Sequence, residues 1–443
     1  MELAEALAWT AEGFEPDRFE RFCEHLDPEW IEEALLSTGK ASMRRRRLPA
    51  EQTVWLVLGM GLMRDTPIAE VVDKLELSMP SPNGVVARST VSQARKRLGD
   101  KPLEWLFLRS ARQWAHASAD GHRWRGLALY GVDGTSLRVP DSKENREHFG
   151  KHSGGPRGES AYPLVRMAAL MALRSHLLVA ASFGPFGIGE LTYAEDLWQA
   201  VPDNALTILD RNFYSASLLL GLSRSGTNRH WLLRAKSNVR GRLLKRLGPG
   251  DELVELTVSS SARKKDPSLP GTFVARLIHY QRKGFRPGRL LTSLLDAKAS
   301  PADEIIGLYH ERWEIELGYD EIKTELLDRR EAIRSQSPTG VAQELWGLLI
   351  IYNLIRLEML RIAQQARVDP LRISFVVSLR YIRDFWWLNF PTRSPGAIPR
   401  RLGDMRARIK RFILPPRRST RSYPRAVKIK MSNYKKKRLE SPK

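Results

Sequence analysis

Two short apolar runs, each followed at once by an aspartate, limit the folds open to this chain. The first is Leu127–Val132, followed by Asp133-Gly134-Thr135, and the second is Ala205–Leu209, followed by Asp210-Arg211-Asn212. Runs this short and this apolar suit strands buried on both faces, as in sheets covered by helices. A carboxylate at the end of a buried strand is costly unless it is paired or faces a cation. Taken singly, each Asp also reads as a turn or helix-capping residue.

Further along, Tyr309, Arg312, Glu316 and Lys323 follow one another at offsets of three, four and seven. On a uniform α-helix of about 100° per residue, the last three fall about 300°, 340° and 320° from Tyr309. One helical stripe is therefore expected to carry a hydroxyl, a guanidinium, a carboxylate and an ammonium. Charged stripes also occur as solvated, salt-bridged faces. Asp320, about 20° from Tyr309 on the same wheel, competes with Glu316 for the role of third acid. Together Asp133, Asp210 and Glu316 offer only oxygen ligands, which suit Mg²⁺ or Mn²⁺ better than zinc.

In this order and spacing, the residues resemble the DDE transposases of bacterial insertion sequences that carry the Y-R-E-K signature, insertion-sequence family four. The resemblance runs from about Arg125 to Arg356. It reappears in Arg421-Ser-Tyr-Pro-Arg425-x2-Lys428, which is similar to the family's basic C-terminal motif. It implies an α/β fold with an RNase-H-like catalytic core, a mixed sheet with flanking helices. A β-rich insertion would interrupt that core, and an α-helical N-terminal DNA-binding domain would precede it. The implied activity is cut-and-paste transposition, with metal-dependent cleavage and strand transfer at the ends of the chain's own element.

Asp133, Asp210 and Glu316 are then the implied catalytic and metal-binding acids for two Mg²⁺ (or Mn²⁺) ions, with Asp133 bridging both. Two such ions about 3.5–4 Å apart activate the attacking oxygen and stabilise the leaving one, so no nucleophilic side chain is needed. Tyr309, Arg312, Lys323, Arg421, Arg425 and Lys428 are the implied DNA contacts. Arginine suits bidentate phosphate contact, and lysine acts as a mobile point charge. The implied partners are the terminal inverted repeats, target DNA and a second copy in the synaptic complex. A DNA hairpin intermediate is a further family expectation. The rival readings are a nuclease that cuts without joining and a non-enzymatic DNA-binding regulator.

Charge agrees with a nucleic-acid partner. Lysine and arginine number 72 against 50 acids, a net +22 with a pI near 10.2. From Arg400 to Lys443 there are 17 basic and two acidic residues, so +15 of the total sits in this tail. Such a tail reads as a footprint on the DNA backbone, or as a polybasic end without fixed contacts. Cys23 is the sole cysteine, which excludes disulfide frameworks and cysteine-based zinc clusters. The start Met1-Glu-Leu-Ala-Glu-Ala lacks a signal peptide's basic residues. The longest apolar run, Leu345–Ile355, is shorter than the roughly 20 residues a membrane span needs. It is expected to be a buried helix behind the site, in a cytoplasmic protein with no membrane partner.

Five segments are expected: helical 1–120, core 121–214, a β-rich insertion 215–300, core 301–390 with the charged stripe, and a basic tail 391–443. Helices are predicted at Pro28–Ser37, Ala50–Met63, Ile68–Leu75, Ser89–Leu98 and Leu103–Ala115. Residues Thr66–Leu98 fit a helix-turn-helix variant whose second helix presents Ser89, Thr90, Ser92, Gln93 and Arg95 to DNA. A generic basic surface helix fits them equally well. Arg44–Arg47 reads as a phosphate-contacting or solvated loop.

Strands are predicted at His230–Ala235, Asp251–Val258, Phe273–Tyr280 and Leu290–Leu295, with Trp231 assigned to the insertion as a core residue. Trp346, Phe385, Trp386 and Trp387 read as packing. His148, His152 and His176 match no metal-ligand spacing, and His152 is a weak phosphate-contact candidate.

Overall fold

The computed structural model describes residues 26–41, 48–75, 77, 87–151, 160–281, 287–328, 332–389 and 398–416. Arg44–Arg47, Cys23, His152, Arg421, Arg425, Lys428 and the tail beyond 416 lie outside them.

Among the described residues, nine strands form one sheet in the order β3-β2-β1-β4-β5-β9-β8-β7-β6. The first five are β1 (Ala128–Arg138), β2 (Leu164–Ala172), β3 (Leu177–Pro185), β4 (Ala205–Leu209) and β5 (Arg229–Arg234). Strands β1, β2 and β3 pair antiparallel, whereas β4 runs parallel to β1 and β5 parallel to β4. This 3-2-1-4-5 order, a meander followed by parallel crossovers, is the RNase-H-like arrangement that the resemblance implied.

The sheet then continues antiparallel through β6 (Arg242–Gly248), β7 (Asp251–Thr257), β8 (Thr272–Tyr280) and β9 (Gly288–Thr292). The β-rich insertion therefore extends the core sheet from its β5 edge. Trp231, 1% exposed, belongs to β5 and not to the insertion, because that strand pairs parallel with β4. Local sequence could not separate β5 from the insertion, since both offer short apolar runs and only pairing partners tell them apart. A buried ion pair steadies the insertion. Arg276 on β8 grips Asp251 on β7 at 2.7 and 2.6 Å and donates to the Ser300 carbonyl at 2.6 Å.

Helices cover the core. The N-terminal group comprises α1 (Pro28–Ser37), α2 (Ala50–Leu62), α3 (Ile68–Lys74), α4 (Arg88–Leu98) and α5 (Lys101–Asp120). Around the meander lie α6 (Lys143–Phe149), α7 (Glu190–Glu195) and α8 (Ala216–Arg224), with the short α9 (Ser260–Lys265) in the insertion. Then come α10 (Ala302–Glu311), α11 (Trp313–Asp320), a π-helical segment Glu321–Leu326, and the long α12 (Pro338–Ala366). Helices α13 (Phe375–Asn389) and α14 (Ile398–Ile409) close the described chain.

The expected apolar run Leu345–Ile355 lies inside α12, whose central residues are buried against α2, α5 and β3. No helix among the described residues is long and apolar enough to cross a membrane. The β3 edge is closed by Asn353 of α12, which accepts from the Leu178 N–H and donates to its carbonyl, both at 2.8 Å. Pairing both backbone groups removes an open sheet edge at this point.

Helix α4 docks on the same long helix through Arg95. Its guanidinium donates to Gln343 Oε1 at 3.2 Å, Ser335 Oγ at 2.9 Å and the Gly340 carbonyl at 3.0 Å. Gln343 returns hydrogen bonds to the Arg95 and Gly99 carbonyls, satisfying the C-terminal end of α4. Arg95 is therefore turned inward, correcting its assignment as a DNA reader. The helix keeps Arg88, Ser89, Ser92, Gln93, Lys96 and Arg97 exposed.

Candidate active site

Asp133 lies inside β1, not at its end as the sequence suggested. Parallel pairing stops at Val132↔Leu209, but antiparallel pairing with β2 carries β1 on to Arg138. The polar Gly134-Thr135-Ser136 stretch is covered by only one neighbour strand, β2. Asp210 immediately follows β4, so the two aspartates are the next residues along on adjacent parallel strands.

The expected continuous stripe is broken into three pieces. Arg312 ends α10 and begins α11, and from Glu321 the backbone winds as a π-helix. A π segment turns less per residue than an α-helix, so Lys323 leaves the place a uniform wheel assigns it. Arg312 and Glu316 stay in contact across one turn: the guanidinium donates to Glu316 Oε1 at 2.7 Å. A second nitrogen of the same guanidinium lies 3.7 Å from Asp133 Oδ2. Arg312 thus stands between the carboxylates of β1 and α11. Asp320 is exposed, whereas Glu316 is part-buried and joined through Arg312 to Asp133.

Three anchors hold this helix against the sheet. Arg174, in the β2–β3 turn, makes a two-pronged pair with Glu311 at 2.9 and 2.8 Å. The Tyr319 hydroxyl donates to the Asp133 carbonyl at 2.6 Å, latching α11 to the strand that carries the first aspartate. Gly318 permits the close approach, since a Cβ there would lie 2.3 Å from the Met171 terminal carbon. Glu321 is bound by Arg356 of α12, with Arg356 Nε at 3.0 Å and the Tyr352 hydroxyl at 2.9 Å. His176 joins this cluster, 2.9 Å from Glu314 and in contact with Arg356, so it is a buried structural residue. His148 is exposed, and Trp346 and Phe385 are buried packing residues.

Burial pushes the Asp133 carboxyl up to about 6, against the Gly134 N–H and Arg312, which favour its ionised form. Glu190 and Glu316 add to the upward push. Burial likewise raises the Tyr309 hydroxyl to about 12, and Arg312, Asp210, Tyr280 and Arg234 all act on it. Tyr309 therefore sits among the Asp210 side of the site. The folded state holds the Asp133 proton more tightly than the unfolded chain does. Without metal, stability should then fall as pH rises from about 4 through 6, by about 3 kcal/mol. Thermal melts should show Asp133→Asn above the metal-free parent at pH 7.5 and level with it near pH 3.

Two site residues carried no sequence signal. Tyr319 works through a backbone carbonyl, and Glu190 reaches the site from α7, far from either run. Among the described residues, no group of three or more His, Cys, Asp or Glu side chains is gathered closely enough to hold a metal ion. The donor chemistry nevertheless fits a hard divalent cation. The carboxylates are oxygen-only, Asp133 carries a burial cost, and Arg312 is the cation set between it and Glu316.

Residues 125–354 match the family described as "Transposase DDE domain", and residues 16–108 match "Insertion element 4 transposase N-terminal". The fold and these matches thus define a DDE transposase. The chain belongs to the insertion-element-4 family of these enzymes. It is 39% identical over 414 residues to "Transposase InsG for insertion sequence element IS4" of Escherichia coli (strain K12), covering 93% of this chain and 92% of that one. It is 38% identical over 266 residues to "Putative transposase InsZ" of the same strain, covering 60% of this chain and 81% of that one. Among solved structures, a piggyBac transposase synaptic complex with hairpin DNA aligns at a TM-score of 0.44 and 14% identity, covering 91% of this chain and 86% of that one. That likeness is too distant to carry function.

Proposed function

We propose that this transposase cuts both ends of its own element and joins them to target DNA, using Asp133, Asp210 and Glu316 to hold two Mg²⁺ or Mn²⁺ ions. The observation that carries this reading is the placing of Asp133 and Asp210 side by side on adjacent strands, with Glu316 tied to Asp133 through Arg312. When bound, the ions activate the attacking oxygen and stabilise the leaving one. The protein's own part is to orient. Tyr319 and the Arg174–Glu311 pair fix the helix, and the fixed helix sets Glu316 against β1. Arg312, set between the carboxylates of Asp133 and Glu316, would offer its fork to a DNA phosphate once a cation took its place there. Tyr309 donates to a phosphate oxygen, and Lys323 adds positive charge along the bound strand.

In the same reading, the helical segment before 121 binds the element end, with the outer face of α4 on DNA. The basic tail with Arg421, Arg425 and Lys428 grips the backbone, and two copies bring two ends together in a synaptic complex. The enzyme works in the cytoplasm beside the nucleoid, where its substrate is.

Inward and outward residues of α4 give a direct test of its role. Arg95→Ala should cost about 2 kcal/mol of stability through its unsatisfied partners and leave the salt dependence of end binding unchanged. Lys96→Ala should leave the melt unchanged and reduce the salt slope by about one phosphate contact.

The activity itself is tested by incubating the full-length protein with a labelled terminal duplex and a target plasmid, with Mn²⁺ or EDTA. Metal-dependent joined products support the proposal. Cleavage without joining would make the protein a nuclease, and binding alone would make it a regulator.

A further inference from the structure

Glu190 opens α7 and reaches the strand that carries Asp133. A Cβ built on Gly134 would lie 2.1 Å from Glu190 Oε1 and 2.2 Å from its Cδ. Gly134 does not have the left-handed backbone that favours glycine, so this glycine is needed for space. Its N–H donates to Asp133 Oδ1 at 2.9 Å and also helps to keep the Glu190 carboxylate ionised. Glu190 acts electrostatically on Asp133, and Asp210 acts on Glu190 in turn. Glu190 thus interacts electrostatically with both aspartates. Its own carboxylate is raised by burial, with Arg166 opposing. Arg166 is fixed by the Ile188 carbonyl at 2.6 Å and lies over the Phe186 ring, which orders the approach to α7.

We propose that Glu190 is a positioning residue of the catalytic centre, seated in the space left by Gly134, where its like charge repels the Asp133 carboxylate and so sets how that carboxylate faces a bound cation. The Asp-Gly pair is then a fitted unit: the acid binds, and the glycine makes room for the group that orients it. This rests on the reading that Asp133 and Asp210 belong to the metal centre. Gly134→Ala is expected to push the flexible end of Glu190 out of its seat without disturbing the fold. It should therefore have the same consequence as removing the carboxylate.

The test is Mn²⁺ binding to the full-length protein, followed by the loss of the free-ion electron paramagnetic resonance signal, alongside metal-free binding of the terminal duplex. Gly134→Ala and Glu190→Ala should each weaken Mn²⁺ binding about 10- to 100-fold, the range for groups that orient metal ligands. The double variant should be no weaker than either single one, because both take the Glu190 carboxylate out of the same seat. Glu190→Asp, which retreats by one carbon, should recover part of the affinity in the Gly134→Ala background. Duplex binding without metal should match the parent throughout.

Parental Mn²⁺ affinity in Gly134→Ala, or losses that add in the double variant, would overturn the proposal. Gly134→Ala keeps Glu190 in the chain, so it decides the matter even where Glu190→Ala fails to fold. Asp133→Asn separates the two possible failures. If it also binds Mn²⁺ like the parent, the metal-centre reading falls; if it alone loses Mn²⁺, only the role of Glu190 falls.

Discussion

Glu316→Gln is expected to leave binding of the element end intact and to lower metal-dependent cleavage by more than about a hundredfold. That is beyond the 10- to 100-fold typical of groups that merely orient a ligand. The amide keeps the volume and the hydrogen bond to Arg312 but removes the charge that a divalent ion needs. End binding survives because Arg312, Lys323 and the basic surface remain. Arg312→Ala should behave differently, weakening both binding and cleavage, since it removes a phosphate contact and loosens Glu316 at once. Gel-shift and cleavage assays on one labelled terminal duplex distinguish the two variants.

The second large effect is expected from Arg356→Leu. Arg356 is 3% exposed, pairs with Glu321 and His176, and lies over the Phe375 ring. Although burial opposes ionisation of Glu321, Arg356 and His176 hold its carboxyl down at about 2. Removing the guanidinium strands a buried carboxylate, at a cost of about 3–5 kcal/mol. Because the folded-state value lies below the ordinary 4.5, the pair's contribution is present above that pH and is lost as pH falls toward 2. The deficit of Arg356→Leu should therefore be largest at neutral pH and shrink below about pH 4 as Glu321 takes up its proton. Thermal melts across that range check the sign. Glu321→Gln/Arg356→Leu should recover part of the loss at pH 7, since it removes the stranded charge. Cleavage should also fall in Arg356→Leu, because the π segment that continues the Glu316 helix loses its anchor.

What could be read in advance follows from how local each signal is. Strand β4 and helix α1 appear with the predicted bounds, since their apolar runs and flanking residues stand in one short window. Strands β2 and β3 escaped, because Ala-rich Leu164–Ala172 and Leu177–Pro185 have no alternation to announce them. The adjacency of Asp133 and Asp210 on neighbouring strands and the Arg312–Glu316 contact follow from signals in short windows, the apolar runs and the helical spacing. The bend at Arg312 and the π winding do not, because both depend on partners far along the chain: Arg174 for Glu311, and Arg356 for Glu321. The inward turn of Arg95 is hidden for the same reason. An arginine on a basic helix looks like a DNA contact until Gln343 and Ser335 are found beneath it. Glu190 illustrates the limit most clearly, since its meaning lies in a glycine 56 positions earlier.

Whether Glu316 is the third acid is decided by cleavage of a labelled duplex from the element's own terminus by the purified parent, Glu316→Gln and Asp320→Asn, each with Mg²⁺ and with EDTA. Nicking at the element boundary is expected from the parent and from Asp320→Asn, only with metal, and none from Glu316→Gln. Equal cleavage by Glu316→Gln and the parent, or loss in Asp320→Asn alone, would contradict that role for Glu316.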